Sequence, residues 1–147
     1  MRMINPDQRE QPADEAVVVR AVLRLARRLR QAAADSELSG GALGLLATLR
    51  RNGSMSAVEL ARQEGLKPQS LSRLIAGLDK AAFIERAVDS ADRRRQLIAI
   101  TSQGTSALAR SMNLRRRWLA GAIEERLSTR ERSTLLQAAQ LMLRMAA

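Results

Sequence analysis

The chain has no cysteine, no histidine and no tyrosine, and its only aromatic residues are Phe83 and Trp118. Without cysteine there is no disulfide, no thiolate metal site and no thiol-based redox sensor. Without histidine the commonest general base and the commonest metal ligand are both missing. The carboxylates that remain hold hard cations only weakly, so no metal and no cofactor is expected. No glycine loop of the phosphate-binding kind is present, and Glu124 and Glu125 are neighbours on a helix, so they diverge. The chain does not read as an enzyme. The shortage of aromatics also counts against a reader of single-stranded nucleic acid, which needs rings on which bases stack. No apolar run approaches the roughly 20 residues that cross a bilayer. The polar stretch Met1–Pro12 lacks the apolar centre of a secretion signal. The expected location is the cytosol.

What the chain does have is arginine. Lys and Arg number 25 against 15 Asp and Glu, a net charge of +10 on 147 residues, with 46% hydrophobic residues to build a core. That length suits one domain. A surplus of this size points to a polyanion, and duplex DNA is the polyanion that asks for cations and groove donors rather than stacking rings.

Residues 1–12 form a polar arm containing Pro6, expected to be flexible unless a partner holds it. Pro12 suits the first turn of a helix, and Asp14 and Glu15 place negative charge at its positive end. Val18, Val22, Leu25 and Leu29 then share one helical face, which predicts a helix over 13–34. A break over 35–41 follows. Leu43, Leu46 and Leu49 predict a second helix stopping at Asn52-Gly53. Ser56-Ala57-Val58-Glu59 is a capping box that opens a short helix carrying Val58, Leu60 and Ala61 and ending at Gly65. Pro68 opens the next, with Leu71, Leu74, Ile75 and Leu78 facing inward and Gln69, Ser70, Ser72 and Arg73 outward. Two short helices across a tight turn have helix-turn-helix spacing.

Phe83–Val88 and Gln96–Ile100 read as strands around the cationic turn Asp89–Arg95. A hairpin with a basic tip, directly after a helix-turn-helix, is a wing, and such a tip can enter a minor groove, whose potential attracts Arg. Thr101 starts a long helix to about Arg126. A second capping box, Ser128-Thr129-Arg130-Glu131, opens a terminal helix with Leu135, Ala139, Met142 and Ala146 among its apolar positions. The fold class is mainly α (α+β): a winged helix-turn-helix with a two-stranded wing between longer helices.

The segments Leu71-Ser72-Arg73-Leu74-Ile75, Leu78-Asp79-Lys80 and Ile84-Glu85-Arg86 resemble the MarR (multiple antibiotic resistance regulator) family. The most specific are Asp89-Ser90-Ala91-Asp92-Arg93-Arg94 and Ile100-Thr101-Ser102-Gln103-Gly104. The resemblance covers roughly residues 12–147. It implies an obligate homodimer whose first and last two helices, 13–34 with 101–147, form a helical dimerisation region, leaving 35–100 as the DNA-binding region, with a helix over 67–81 in the major groove and a wing in the flanking minor groove. It also implies a repressor that many members release with a small, often aromatic ligand. Two departures are visible. The family often has Gly where this chain has Ala82, a place where a helix end favours a left-handed residue. Lys67 also precedes Pro68 where a Ser, Thr or Asp would cap better; a lysine there is a poor cap and a good phosphate ligand.

The candidate DNA contacts are Lys67, Pro68, Gln69, Ser70, Ser72 and Arg73 on the reading helix and Arg86, Asp92, Arg93, Arg94 and Arg95 on the wing. Gln can bond adenine and Arg guanine in a bidentate way, but the sequence leaves open which residue meets a base and which a phosphate. Side chains alternate along a hairpin, so the three wing arginines cannot all face DNA. The expectation is that Arg93 or Arg94 inserts while Asp92 holds the other. Val18, Val22, Leu25, Leu135, Ala139 and Met142 are the candidate dimer residues. Arg115, Arg116 and Arg117 read as a solvated face, and Trp118 as core or ligand-pocket lining; no pocket can be assigned. The expected function is a sequence-specific duplex-binding transcriptional regulator acting as a homodimer on a palindromic operator, with a possible small-molecule effector. The rivals are a non-specific nucleoid-type binder and a winged-helix module that docks an acidic protein.

Overall fold

The computed structural model describes residues 13–147, so the arm and the role of Pro12 lie outside the described residues. The element order is α1 (Asp14–Ala32), α2 (Gly40–Asn52), α3 (Ala57–Glu64), α4 (Pro68–Lys80), β1 (Ile84–Val88), β2 (Gln96–Ile100), α5 (Ser102–Arg126) and α6 (Thr129–Met145). The two strands pair antiparallel with Arg86 opposite Ile98 and Val88 opposite Gln96.

Local chemistry sets most boundaries. The hydroxyls of Ser39, Ser56, Thr101 and Ser128 each accept an amide at a helix start, and both capping boxes form. Gly65 closes α3 in the left-handed conformation at φ 61°. α1 ends at Ala32, two residues before the expected end, because Ala33 and Ala34 turn back onto the carbonyls of Arg30 and Gln31. The following break keeps its expected length but lies two residues earlier, over 33–39, since Ser39 caps α2 at Gly40. Val58 is 69% exposed, so it is Leu60, wholly buried, that anchors α3.

One core gathers α2, α3, α4, the wing root and the start of α5. Leu45, Leu46, Leu49 and Leu60 are its most deeply buried leucines, joined by Leu71, Ile75, Leu78, Phe83, Ile84, Ile98 and Leu108. Each such leucine contributes roughly 1.5–3 kcal/mol by leaving water. Met55 joins the sheet by a bridge to Ile98, donating at 3.0 Å and accepting at 2.7 Å, so the root of the wing is fixed to the segment just before α3.

α5 leaves this core through a tight corner. Ala82 sits at φ 58°, the left-handed conformation foreseen where a glycine is usual. The Thr101 hydroxyl donates to the Ala82 carbonyl at 2.7 Å and its amide donates to Phe83 at 3.0 Å. Gly104 packs so closely there that a Cβ on it would fall on the Phe83 carbonyl oxygen. α5 then runs antiparallel to α1, with Ser111 bonded to Ser36 at 2.9 Å and the Trp118 ring 5.7 Å from the Arg28 guanidinium. Arg115 is half-buried against Ser111, to whose carbonyl it donates at 3.0 Å, while Arg116 and Arg117 are exposed.

α1 and α6 have no buried residue. Yet Val18, Val22, Leu25, Leu136, Leu141, Met142 and Leu143 are exposed along them. Of the remaining candidate dimer residues, Leu135 and Ala139 are half-buried. Among the described residues no helix is long and apolar enough to cross a membrane.

Candidate nucleic-acid interface

The amphipathic pattern of α4 buries Leu71, Ile75 and Leu78 and leaves Lys67, Pro68, Gln69, Ser70, Ser72 and Arg73 exposed. Lys67 stands at the N-cap with no side-chain hydrogen bond to the helix, so the first turn presents its free amides and a cation together. That combination suits a phosphate oxygen. Ser72 faces the wing, sharing a small cleft with Ala57, Arg86 and Gln96. Arg73 lies on the opposite side, bordering a groove lined by Ser39, Gly77 and Phe83. The exposed face of α4 thus divides into one edge toward the wing and one toward the start of α2.

The wing tip is a compact turn. The Asp89 amide donates to the Arg95 carbonyl at 3.0 Å and the Arg95 amide to the Asp92 carbonyl at 2.9 Å. The Asp89 carboxylate accepts the Ala91 amide at 2.9 Å, and that of Asp92 accepts the Arg94 amide at 3.0 Å. This corrects the expected Asp92–arginine ion pair: Asp92 spends its carboxylate on backbone, as Asp does when it shapes a turn. Neither the Arg93 nor the Arg94 guanidinium is in an ion pair among the described residues, and both are exposed.

Arg95 and Arg86 are placed differently. The Arg95 guanidinium donates to Glu59 at 3.0 Å, reaching back from the wing to the N-terminus of α3. Arg86 lies 3.8 Å from Asp79 near the end of α4. Sequence reasoning missed both pairs, along with Gln96 beside Ser72. The Glu59 carboxylate also accepts the Ser56 amide at 2.9 Å and the Ser56 hydroxyl at 2.8 Å. The Ser56 amide, then its hydroxyl, then Arg95 hold Glu59 at about 2, well below its ordinary 4.5. Glu131 is lowered in the same sense by the Ser128 amide and hydroxyl.

The described residues contain no cluster of acidic residues able to hold a metal ion. The surface carries cations and hydrogen-bond donors over an exposed helix and an adjoining hairpin, an arrangement that can meet phosphates and base edges together.

Residues 38–96 match the family model for the MarR family. A helix-turn-helix transcriptional regulator of Mycobacterium tuberculosis is 37% identical over 126 residues, covering 84% of this chain and 85% of that protein. The fold is that of a solved Cys→Ser variant of MarR from E. coli, at TM-score 0.79 and 18% identity over 97% of this chain and 99% of that one. It is also that of Bordetella bronchiseptica BpsR, whose DNA binding is regulated by 6-hydroxynicotinic acid, at TM-score 0.65 and 22% identity over 90% and 93%. With its reading helix, its arginine-tipped wing and these likenesses, the chain belongs to the MarR family of DNA-binding, helix-turn-helix transcriptional regulators.

Proposed function

We propose that the protein is a homodimeric, sequence-specific repressor that binds a palindromic duplex and is released by a small anionic ligand. The observation that carries this reading is the conjunction of the exposed Lys67–Arg73 face with two unpaired arginines, Arg93 and Arg94, at the tip of the adjoining wing. Base readout belongs to the helix, and minor-groove contact and search speed to the arginines. The uncovered apolar faces of α1 and α6 support dimerisation through 13–34 and 101–147, leaving 35–100 to bind DNA. A two-fold dimer places its two reading helices about 34–36 Å apart, one turn of DNA. A cleft of about 590 Å³ between α1 and α5, lined by Arg24, Arg27, Arg28, Gln31, Trp118 and Arg126, offers an effector guanidinium groups and an indole face. An effector acts there only through unequal affinity for the two dimer geometries.

The test is selection of bound duplexes from a random pool, then titration of the winner and a scrambled control across a range of salt. A palindromic winner bound at least about a thousandfold more tightly than the control establishes specific regulation. Steep salt dependence without a preferred sequence establishes the architectural reading instead. Absence of duplex binding leaves the wing as a dock for an acidic protein.

A further inference from the structure

The wing offers three consecutive arginines, and the structure uses the third unlike the other two. Arg93 and Arg94 point from a turn closed by its own backbone bonds, while Arg95 is folded back onto Glu59 at 3.0 Å. Glu59 is a fixed anchor. Its other oxygen already takes the amide and hydroxyl of Ser56, so the carboxylate is locked to the first turn of α3 before Arg95 arrives. One residue before Ser56, Met55 is bridged to Ile98. The wing is therefore attached to one short segment, 55–59, at two levels: by backbone at its root and by an ion pair at its neck. Two attachments at different heights fix the angle of a hairpin where one would leave a hinge.

We propose that Arg95 is a positioning residue, kept off the DNA by Glu59, and that the Glu59–Arg95 pair sets the angle of the wing against α4 so that Arg93 and Arg94 meet the minor groove. This rests on the duplex-binding reading above. It also gives separate roles to three adjacent cations, of which Arg95 alone is held in an ion pair among the described residues. The pair is 46% and 39% exposed at its side chains, so its effect is bounded. Each loss should weaken binding roughly two- to fivefold, the range open to an exposed ion pair.

The sign of the Glu59 effect separates this role from its rival. If Arg95 were a phosphate contact restrained by Glu59, removing the carboxylate charge would release it and tighten binding. A positioning pair predicts weaker binding even though a negative charge near DNA has been removed. Glu59→Gln suits the test, because Gln keeps the reciprocal bonds of a capping box and leaves α3 intact.

The experiment compares wild type, Arg95→Ala, Arg95→Lys, Glu59→Gln and the double variant Arg95→Ala/Glu59→Gln on the selected duplex and on a mixed-sequence duplex of equal length. Amide hydrogen exchange at the wing is measured on the same proteins without DNA. The expected result is a similar loss for Arg95→Ala and Glu59→Gln and none further in the double variant. The salt slope should stay unchanged in Arg95→Ala, Arg95→Lys should fall between, and the amides at positions 94 and 95 should exchange faster in Arg95→Ala and Glu59→Gln. Tighter binding by Glu59→Gln, or a salt slope that drops by about one in Arg95→Ala, overturns the proposal and makes Arg95 a phosphate contact. Unchanged exchange in both Arg95→Ala and Glu59→Gln overturns it without reference to DNA. If the wild type binds no duplex, the regulatory reading fails, and the exchange data alone decide whether the pair holds the wing.

Discussion

Replacing Gly104 with alanine should destabilise the protein, although helix propensity argues for the reverse. Gly104 lies in the first turn of α5, where Gly→Ala on an open helix gains about 1 kcal/mol. Here the added Cβ would fall on the Phe83 carbonyl oxygen and 2.9 Å from Ile100 Cγ1. The obstacle is backbone at the end of the α4–β1 corner, so it cannot rotate aside. α5 must shift outward, and the shift pulls the Thr101 amide from its 3.0 Å bond to Phe83. Overpacking of this kind costs about 1–3 kcal/mol. The lost hydrogen bond adds about 1 kcal/mol. Set against the propensity gain, the net loss is about 2 kcal/mol, a fall in Tm of roughly 4–8 °C for a chain of this size. Urea and thermal unfolding at one fixed protein concentration measure it, since the proposed dimer would make stability depend on concentration. A Gly104→Ala protein as stable as wild type, or more so, would refute the close-approach argument and leave Gly104 an ordinary helical glycine.

Arg94→Ala should weaken duplex binding about tenfold and lower the salt slope by about one while leaving sedimentation unchanged, and an unaltered affinity would remove the wing tip from the interface. Truncation before Ser128 removes α6 with its exposed Leu136, Leu141, Met142 and Leu143, so sedimentation should show a monomer; a stable dimer would place the partner surface elsewhere. Acid should expose the lowered carboxylate of Glu59. Its folded value lies below the unfolded one, so its contribution is complete above about 4.5 and disappears as pH falls toward about 2. Urea midpoints of wild type should therefore decline across that window more steeply than those of Glu59→Gln, and parallel curves would count against the bonds to Ser56 and Arg95.

Most helix starts were legible in the sequence because their determinants are local: Ser56 with Glu59, Ser128 with Glu131 and Thr101 with Gly104 each act within one turn. The start of α2 was not, because Ser39 and Gly40 fell inside the stretch read as a break. The second strand was legible from its apolar run after Gln96. Ala82 drew notice only through the family resemblance, whose usual Gly marks a helix end that favours a left-handed residue, and Ala82 takes that conformation. Contacts that join distant residues were not. Nothing near Arg95 points to Glu59, 36 residues earlier, and the same carboxylate was already accounted for as a cap. The Met55–Ile98 bridge depends on where the wing lies across the core, which no local pattern encodes. Asp92 was read only as an arginine partner; its carboxylate takes the Arg94 amide instead, a bond that closes the turn without ordering a long, solvated side chain.

The stacking of Arg28 against Trp118 also makes the protein its own optical probe. With one tryptophan and no tyrosine, all of its long-wavelength ultraviolet emission comes from a single ring, and that ring lies between α1 and α5 at the edge of the arginine-lined cleft. A cation over the indole face, a neighbouring subunit or an occupant of the cleft each changes the polarity around one fluorophore. For the proposed dimer and effector, subunit exchange and ligand entry would both register in the emission of the unlabelled chain, from a ring on α5 facing α1 rather than on α4.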